Sequence, residues 1–161
     1  MWSLIIISHI LMFISFLMLL ASTVRGHFIN YGMIGMTINS LSIISIIIYV
    51  FTQTLVLFLI ITINKKIKSL ISEHTISISD TGYLKYKKKM HVHTSLNLIF
   101  IATLAILFGA VHTGLMSKNI HTILFIIALI HYLYTIQIQY YCFKKISKLI
   151  IRINDLIVSK F

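Results

Sequence analysis

Four long apolar runs, each without Lys, Arg, Asp or Glu in its core, constrain this chain more than any other feature. They cover residues of about 2–24, 35–64, 92–115 and 120–143. A helix crossing a bilayer needs roughly 20 mostly apolar residues, and each run meets that length. The second exceeds it and is expected to tilt or to project from the membrane. Composition agrees: 58% of the 161 residues are hydrophobic and 11% are charged. A soluble domain is nearer half apolar and a quarter charged, and one this apolar would expose large sticky patches. Disordered chains are poor in such residues. The expected architecture is an all-α, integral membrane four-helix bundle forming a single membrane domain over 1–161.

The charges sort by connection. Lys65, Lys66, Lys68, Lys85, Lys87, Lys88 and Lys89 lie in the central loop 65–91. Lys144, Lys145, Lys148, Arg152 and Lys160 lie in the tail 144–161. Arg25 and Lys118 alone fall in the other two connections. The positive-inside rule therefore predicts cytoplasmic N- and C-termini and a cytoplasmic central loop. The same lysines suit anionic headgroups at that face. Nucleic acid is not the expected partner, because no aromatic–basic platform stands outside the membrane. The first run resembles a signal peptide only in part. No cation precedes it and it is long for such a core, so it is read as retained. The strong Ile, Ser and Lys bias points to an AT-rich genome and a bacterial inner membrane, an organellar membrane being the alternative.

Two basic segments match at five of seven positions: Lys65-Lys66-Ile67-Lys68-Ser69-Leu70-Ile71 and Lys144-Lys145-Ile146-Ser147-Lys148-Leu149-Ile150. They fit either a repeat of helical hairpins or convergence on the lysine-rich end of a membrane helix. In the tail, Ile146, Leu149, Ile150, Ile153 and Ile157 recur at helical spacing. This predicts an amphipathic helix lying at the cytoplasmic interface. Residues 72–83 are polar, contain Gly82, and read as a loop.

Polar groups in hydrocarbon are costly and face partners or a cavity. The second run carries Asn39, Ser42, Ser45, Tyr49, Thr52 and Gln53 in steps of three and four. The fourth carries His131, Tyr134, Gln137 and Tyr141 at similar spacing. Both stripes are expected to point inward, with Tyr49 and His131 close enough to hydrogen-bond near the midplane. They serve either as glue between helices or as a channel or quinone-like pocket.

Eight histidines are many for so apolar a chain. At about 1.5 Å per residue, His27, His112 and His121 fall near the outer surface, with Arg25, Met33, Met36 and Met116 in the same layer. His91 and His93 come at the cytoplasmic mouth of the third run, and His74 in the loop. His9 lies about a third of the way in from the cytoplasm, and His131 near the middle. Histidines on different helices can hold a b-type haem. His27 with His112 is the best pair, with Arg25 on a propionate and His121, His9 and His131 as further candidates. Imidazole with thioether sulfur instead suits copper(I), at His112, His121, Met33 and Met116. Unrelated interfacial histidines among apolar methionines are the third reading. His9 and His27 share one helix face across about five turns, whereas His93 and His112 are about 100° apart. No intramembrane carboxylate, His-Glu-x-x-His motif or phosphate-cradling glycine loop offers hydrolytic or ion-pumping chemistry. The lone Cys142 excludes an internal disulfide and any cysteine-based cluster.

Thr52-Gln53-Thr54-Leu55-Val56-Leu57-Phe58 and the following Lys65-Lys66-Ile67-Lys68 resemble a group of small uncharacterised bacterial four-helix membrane proteins. Gly109-Ala110-Val111-His112-Thr113-Gly114 and His121 extend the resemblance over roughly the last two thirds of the chain. In outline the His-bearing bundle also resembles membrane cytochromes of the b561 kind and the haem-anchoring subunits of respiratory complexes. That resemblance implies a small haem-binding electron-transfer subunit. A non-catalytic subunit or assembly factor of a larger membrane complex, or a homo-oligomer, is the competing expectation, and a copper-binding membrane protein a third.

Overall fold

The computed structural model describes residues 2–28, 40–73 and 81–158. They form four helices: α1 (Trp2–Phe28), α2 (Ser40–Glu73), α3 (Thr81–His112) and α4 (Lys118–Val158). All four are long and apolar enough to cross a membrane. The chain is a small four-span membrane protein.

The helices bury a seven-residue pattern. In α1 the buried set is Ile5, Ser8, Met12, Ser15, Leu19 and Ser22. In α3 it is Met90, Thr94, Asn97, Ile101, Leu104 and Val111. In α4 the repeat runs through Ala128, Tyr132, Thr135, Gln139, Cys142, Ile146, Leu149 and Ile153, with Phe125, Leu129, Ile138 and Phe143 buried beside it. Alternating steps of three and four make a seam that stays on one side of a slightly supercoiled helix, as in left-handed bundles. Serine, threonine and alanine are frequent along these seams. In lipid, apolar burial gives no drive to associate, and small side chains let backbones approach. Most of these hydroxyls also bond their own helix: Ser8 to Ile5 O (2.8 Å), Ser15 to Met12 O (3.0 Å), Thr52 to Ile48 O (2.7 Å) and Thr135 to His131 O (2.9 Å). Large apolar side chains lie outside instead: Phe13, Ile47, Phe51, Phe58, Ile99, Ile106, Ile123 and Ile130 are all exposed. That pattern is stable only where hydrocarbon replaces water.

Each helix packs against its chain neighbour, and α4 returns to α1. Ser22 bonds Ser42 (2.7 Å) at one end of the α1–α2 pair. His121 bonds the Leu104 carbonyl (2.8 Å) between α3 and α4. Neighbours therefore run antiparallel. The α3–α4 turn shows why. Gly114 has φ 77°, the left-handed region a side chain disfavours. Leu115 N–H reaches Ala110 O (2.9 Å) and Gly114 N–H reaches Val111 O (3.2 Å), which together form a Schellman end. Ser117 then opens α4, its carbonyl accepting from His121 N–H (3.1 Å).

Three expectations change. The third helix begins at Thr81 rather than near residue 92, because lysine is a good helix former and Met90, next to the lysine run, is fully buried. Most of the expected loop 65–91 is therefore helical, α2 running on through Glu73. The tail is not a separate interfacial helix. It continues α4 without a break to Val158, and Ile146, Leu149 and Ile153 pack in one cluster with Ile63, Ile67 and Met90. The stripe that looked amphipathic faces other helices. Residues 35–39 of the expected second span lie outside the described residues.

If the tail packs this way, Ile146→Ala and Ile153→Ala each cost about 2–4 kcal/mol. Ile151→Ala, on the exposed side, changes stability by less than about 0.5 kcal/mol. Thermal unfolding in detergent measures all three, and equal losses would mean the tail is not a core element.

Candidate functional site

The inward polar groups meet halfway along the bundle. The hydroxyl of Tyr132 (α4) lies 2.6 Å from Ser15 Oγ (α1) and accepts from Gln53 Nε2 (α2) at 2.9 Å. Gln139 Nε2 (α4) donates to Gln53 Oε1 at 2.8 Å and to Thr94 Oγ1 (α3) at 2.9 Å. The Met12 carbonyl accepts from Ser15 Oγ (3.0 Å) and from the Tyr132 hydroxyl (3.4 Å), so either hydroxyl can donate to the other, while Gln53 Nε2 donates to Tyr132. The buried Gln139 Oε1 has no partner.

A second chain lies beside the first, the Tyr49 and Tyr132 rings meeting edge to face at 4.9 Å. Tyr49 O–H donates to Asn97 Oδ1 at 2.6 Å. Asn97 Nδ2 donates to the Ala128 carbonyl (3.1 Å) and to His131 Nδ1 (3.0 Å). The Ala128 carbonyl orients the amide, because a flipped Asn97 would set oxygen against oxygen. His131 Nδ1 must then accept, which puts the His131 proton on Nε2. That nitrogen faces His93 Nδ1 at 3.3 Å, so the His93 proton resides on Nε2. Tyr49 and His131 are therefore linked through Asn97 rather than directly as the sequence suggests.

The α2 stripe is inward as expected: Ser45, Tyr49, Thr52 and Gln53 are all fully buried. The α4 stripe is not. Tyr134, Gln137 and Tyr141 are exposed, and His131 is half-buried. The inward set is Tyr132, Thr135 and Gln139, about 100° around the helix. Two polar stripes share this helix, and spacing alone does not rank them.

Those of the expected cofactor residues that are described lie apart from one another. His9 Nδ1 donates to Ile5 O at 2.7 Å, and its ring packs on Tyr140 and Phe143. Its buried Nε2 has no partner. His131 belongs to the central chain. His121 is at the opposite end, bonded to Leu104 O and packed between Phe108 and Phe125. Arg25 is exposed at the end of α1, and Met116 is half-buried in the α3–α4 turn. The side chains of His27, His112 and Met33 lie outside the described residues. Among the described residues, no three His, Cys, Asp or Glu side chains gather as a metal site. A groove of about 720 Å³ opens between α1 and α4, lined by Phe16, Leu20, Ile123, Ile126 and Leu133, with Thr23, Asn119 and Thr122 toward the first turns of α4. None of the central polar groups lines it.

Ser15, Thr94, Asn97, Tyr132 and Gln139 carry the network and are missed by polar spacing in two helices alone. The seven-residue seams of α1 and α3 contain them. No protein-family model matches the chain, and no curated protein or solved structure is similar to it.

The pairing of Tyr49 with Asn97 is measurable. Tyr49→Phe and Asn97→Leu each destabilise the bundle, and their double-mutant cycle is expected to give a coupling of about 0.6–1.7 kcal/mol, the range of good membrane hydrogen bonds. A coupling of zero would break the chain at its centre.

Proposed function

We propose that this protein is a non-catalytic subunit or assembly factor that packs against a larger membrane partner, with both termini in the cytoplasm. The observation that carries this reading is the division of polar groups on α4. The inward set is consumed by bonds between the chain's own helices. A second set, Tyr134, Gln137 and Tyr141, runs along the membrane-facing side. Polar side chains in lipid seek partners, and a stripe spanning about two turns is what a neighbouring helix would cover.

Orientation rests on charge. Lys65, Lys66 and Lys68 of α2, Lys85–Lys89 of α3, and Lys144, Lys145, Lys148 and Arg152 of α4 belong to one end of the bundle; Arg25 and Lys118 belong to the other. The crowded end takes the cytoplasmic side, against anionic headgroups.

A second reading, a b-type haem protein, rests on His9. Its Nδ1–H is held by the Ile5 carbonyl, so the Nε2 lone pair is free, the form in which an axial ligand is presented. Haem b would supply one-electron redox chemistry, and His9 would be the residue to hold it. No second histidine packs on His9 among the described residues.

In mildly solubilised native membranes the protein is expected to migrate in an assembly larger than its own monomer or dimer. Single cysteines in a Cys142→Ser background set the orientation. Lys65→Cys and Lys148→Cys should label from the cytoplasm, and Asn119→Cys from outside. Migration as an isolated chain, with a reduced-minus-oxidised haem band lost in His9→Leu, would replace the subunit reading with the second one.

A further inference from the structure

The central bonds let depths be compared between helices. Ser15, Gln53 and Tyr132 share one level, as do Tyr49 and Asn97. From the Tyr49–Asn97 level toward the basic end, Lys65 is 16 residues or about 24 Å away; from the Gln53–Tyr132 level, Lys65 of α2 and Lys144 of α4 are each 12 residues or about 18 Å away. The first residues of α1 lie at the same distance. In α3, Lys89 is only eight residues or about 12 Å from Asn97.

The Lys89 side chain does not reach back toward the surface. Its ammonium lies 5.0 Å from the centre of the Tyr134 ring. Tyr134 is ten residues, or about 15 Å, inside Lys144 along α4. An exposed cation is thus held near the basic-side edge of the hydrocarbon against an aromatic face. One helical turn on, His93 packs edge-on against the same ring (5.1 Å). The proton order derived above puts an N–H on His93 Nε2. Lys89, His93 and the Tyr134 hydroxyl therefore gather donors, and one full positive charge, at a single seam between α3 and α4.

An intramembrane cation of this kind marks a function and calls for an anionic partner. The chain does not supply one. Its acids are Glu73, Asp155 and Asp80, at the basic ends of α2 and α4 and just before α3. A second copy brings no carboxylate to this depth either. A lipid phosphate would have to descend from the level of Lys144. We propose that the α3–α4 seam is the docking site for a transmembrane helix of a different protein, one that carries an Asp or Glu carboxylate at the depth of Lys89. Lys89 pairs with that carboxylate, His93 and Tyr134 donate to it, and Gln137 and Tyr141 extend the contact along α4. This names the partner chemistry for the subunit reading and rests on it.

The full chain, reconstituted in phosphatidylcholine vesicles, is titrated at pH 8 with a labelled Leu-rich single-span peptide bearing one Asp, Asn or Leu about eight residues from its centre. Energy transfer reads association. The Asp peptide is expected to bind at least about tenfold better than the Leu peptide and better than the Asn peptide. Lys89→Met should abolish that preference, Lys89→Arg keep it, and Lys144→Met leave it unchanged. Equal binding of Asp and Leu peptides overturns the proposal, and so does a preference that survives Lys89→Met. If phosphatidylglycerol in the vesicles abolishes the preference, the seam is a lipid-phosphate site and the proposal fails. Failure here while the chain still migrates in a larger assembly leaves the subunit reading standing. An Asp preference in a chain that migrates alone sinks that reading instead.

Discussion

The Tyr132 hydroxyl is the point on which the arrangement of helices depends. It joins α4 to α1 through Ser15 and to α2 through Gln53. Asn97 adds α3 through Tyr49, His131 and the Ala128 carbonyl. In water, a helix is placed mainly by the apolar face it buries. In a bilayer that drive is absent, because hydrocarbon surrounds the helix whether it is packed or not. A few buried polar bonds then decide register. Their individual worth is modest, but an unmet donor or acceptor in the interior costs roughly 1–3 kcal/mol. Sliding any helix breaks several at once.

This hierarchy explains what could be read from the sequence. The existence of four spans follows from hydrophobic runs that leave little choice. The inward face of α2 was legible because Ser45, Tyr49, Thr52 and Gln53 make one polar stripe with no rival. On α4 two stripes compete, and the more conspicuous one, with His131 and three large polar residues, is the outward one. Hydropathy also hid the start of α3. Lys85 to Lys89 look like the end of a loop, yet nothing in lysine opposes a helix, and Met90 needs a buried site. The seven-residue repeat would have resolved both cases. It selects Tyr132, Thr135 and Gln139 over their polar neighbours and carries the α3 seam down to Met90.

Histidines illustrate the limit of counting ligands. Depth and residue type group His121 with other outer histidines, but its Nε2 holds a helix carbonyl. His131 carries its proton where Asn97 requires it, which commits both ring nitrogens. Among the described histidines, only His9 keeps a buried nitrogen with no partner. What separates these cases is the acceptor each ring faces, and that depends on which helix lies opposite. Neither periodicity nor spacing carries that information.

The depth of Lys89 follows from the same competition. The α3 seam repeats every seven residues, so α3 could move one repeat toward the basic end and still bury apolar positions. Leu104 would replace Asn97, Ile101 would replace Thr94, and Lys89 would descend about 10 Å toward the level of Lys144. That shift would relieve a cation whose insertion costs at most about 2.5–3.5 kcal/mol, the value at a helix centre on insertion scales. It would also strip Tyr49 and His131 of Asn97, Gln139 of Thr94, and His121 of the Leu104 carbonyl. Several buried groups at roughly 1–3 kcal/mol each outweigh one lysine that still has an aromatic face. The internal bonds win, and the cation is left at the seam. The strain of the register is thereby moved from the interior to the surface, where an anionic helix can relieve it without disturbing the core.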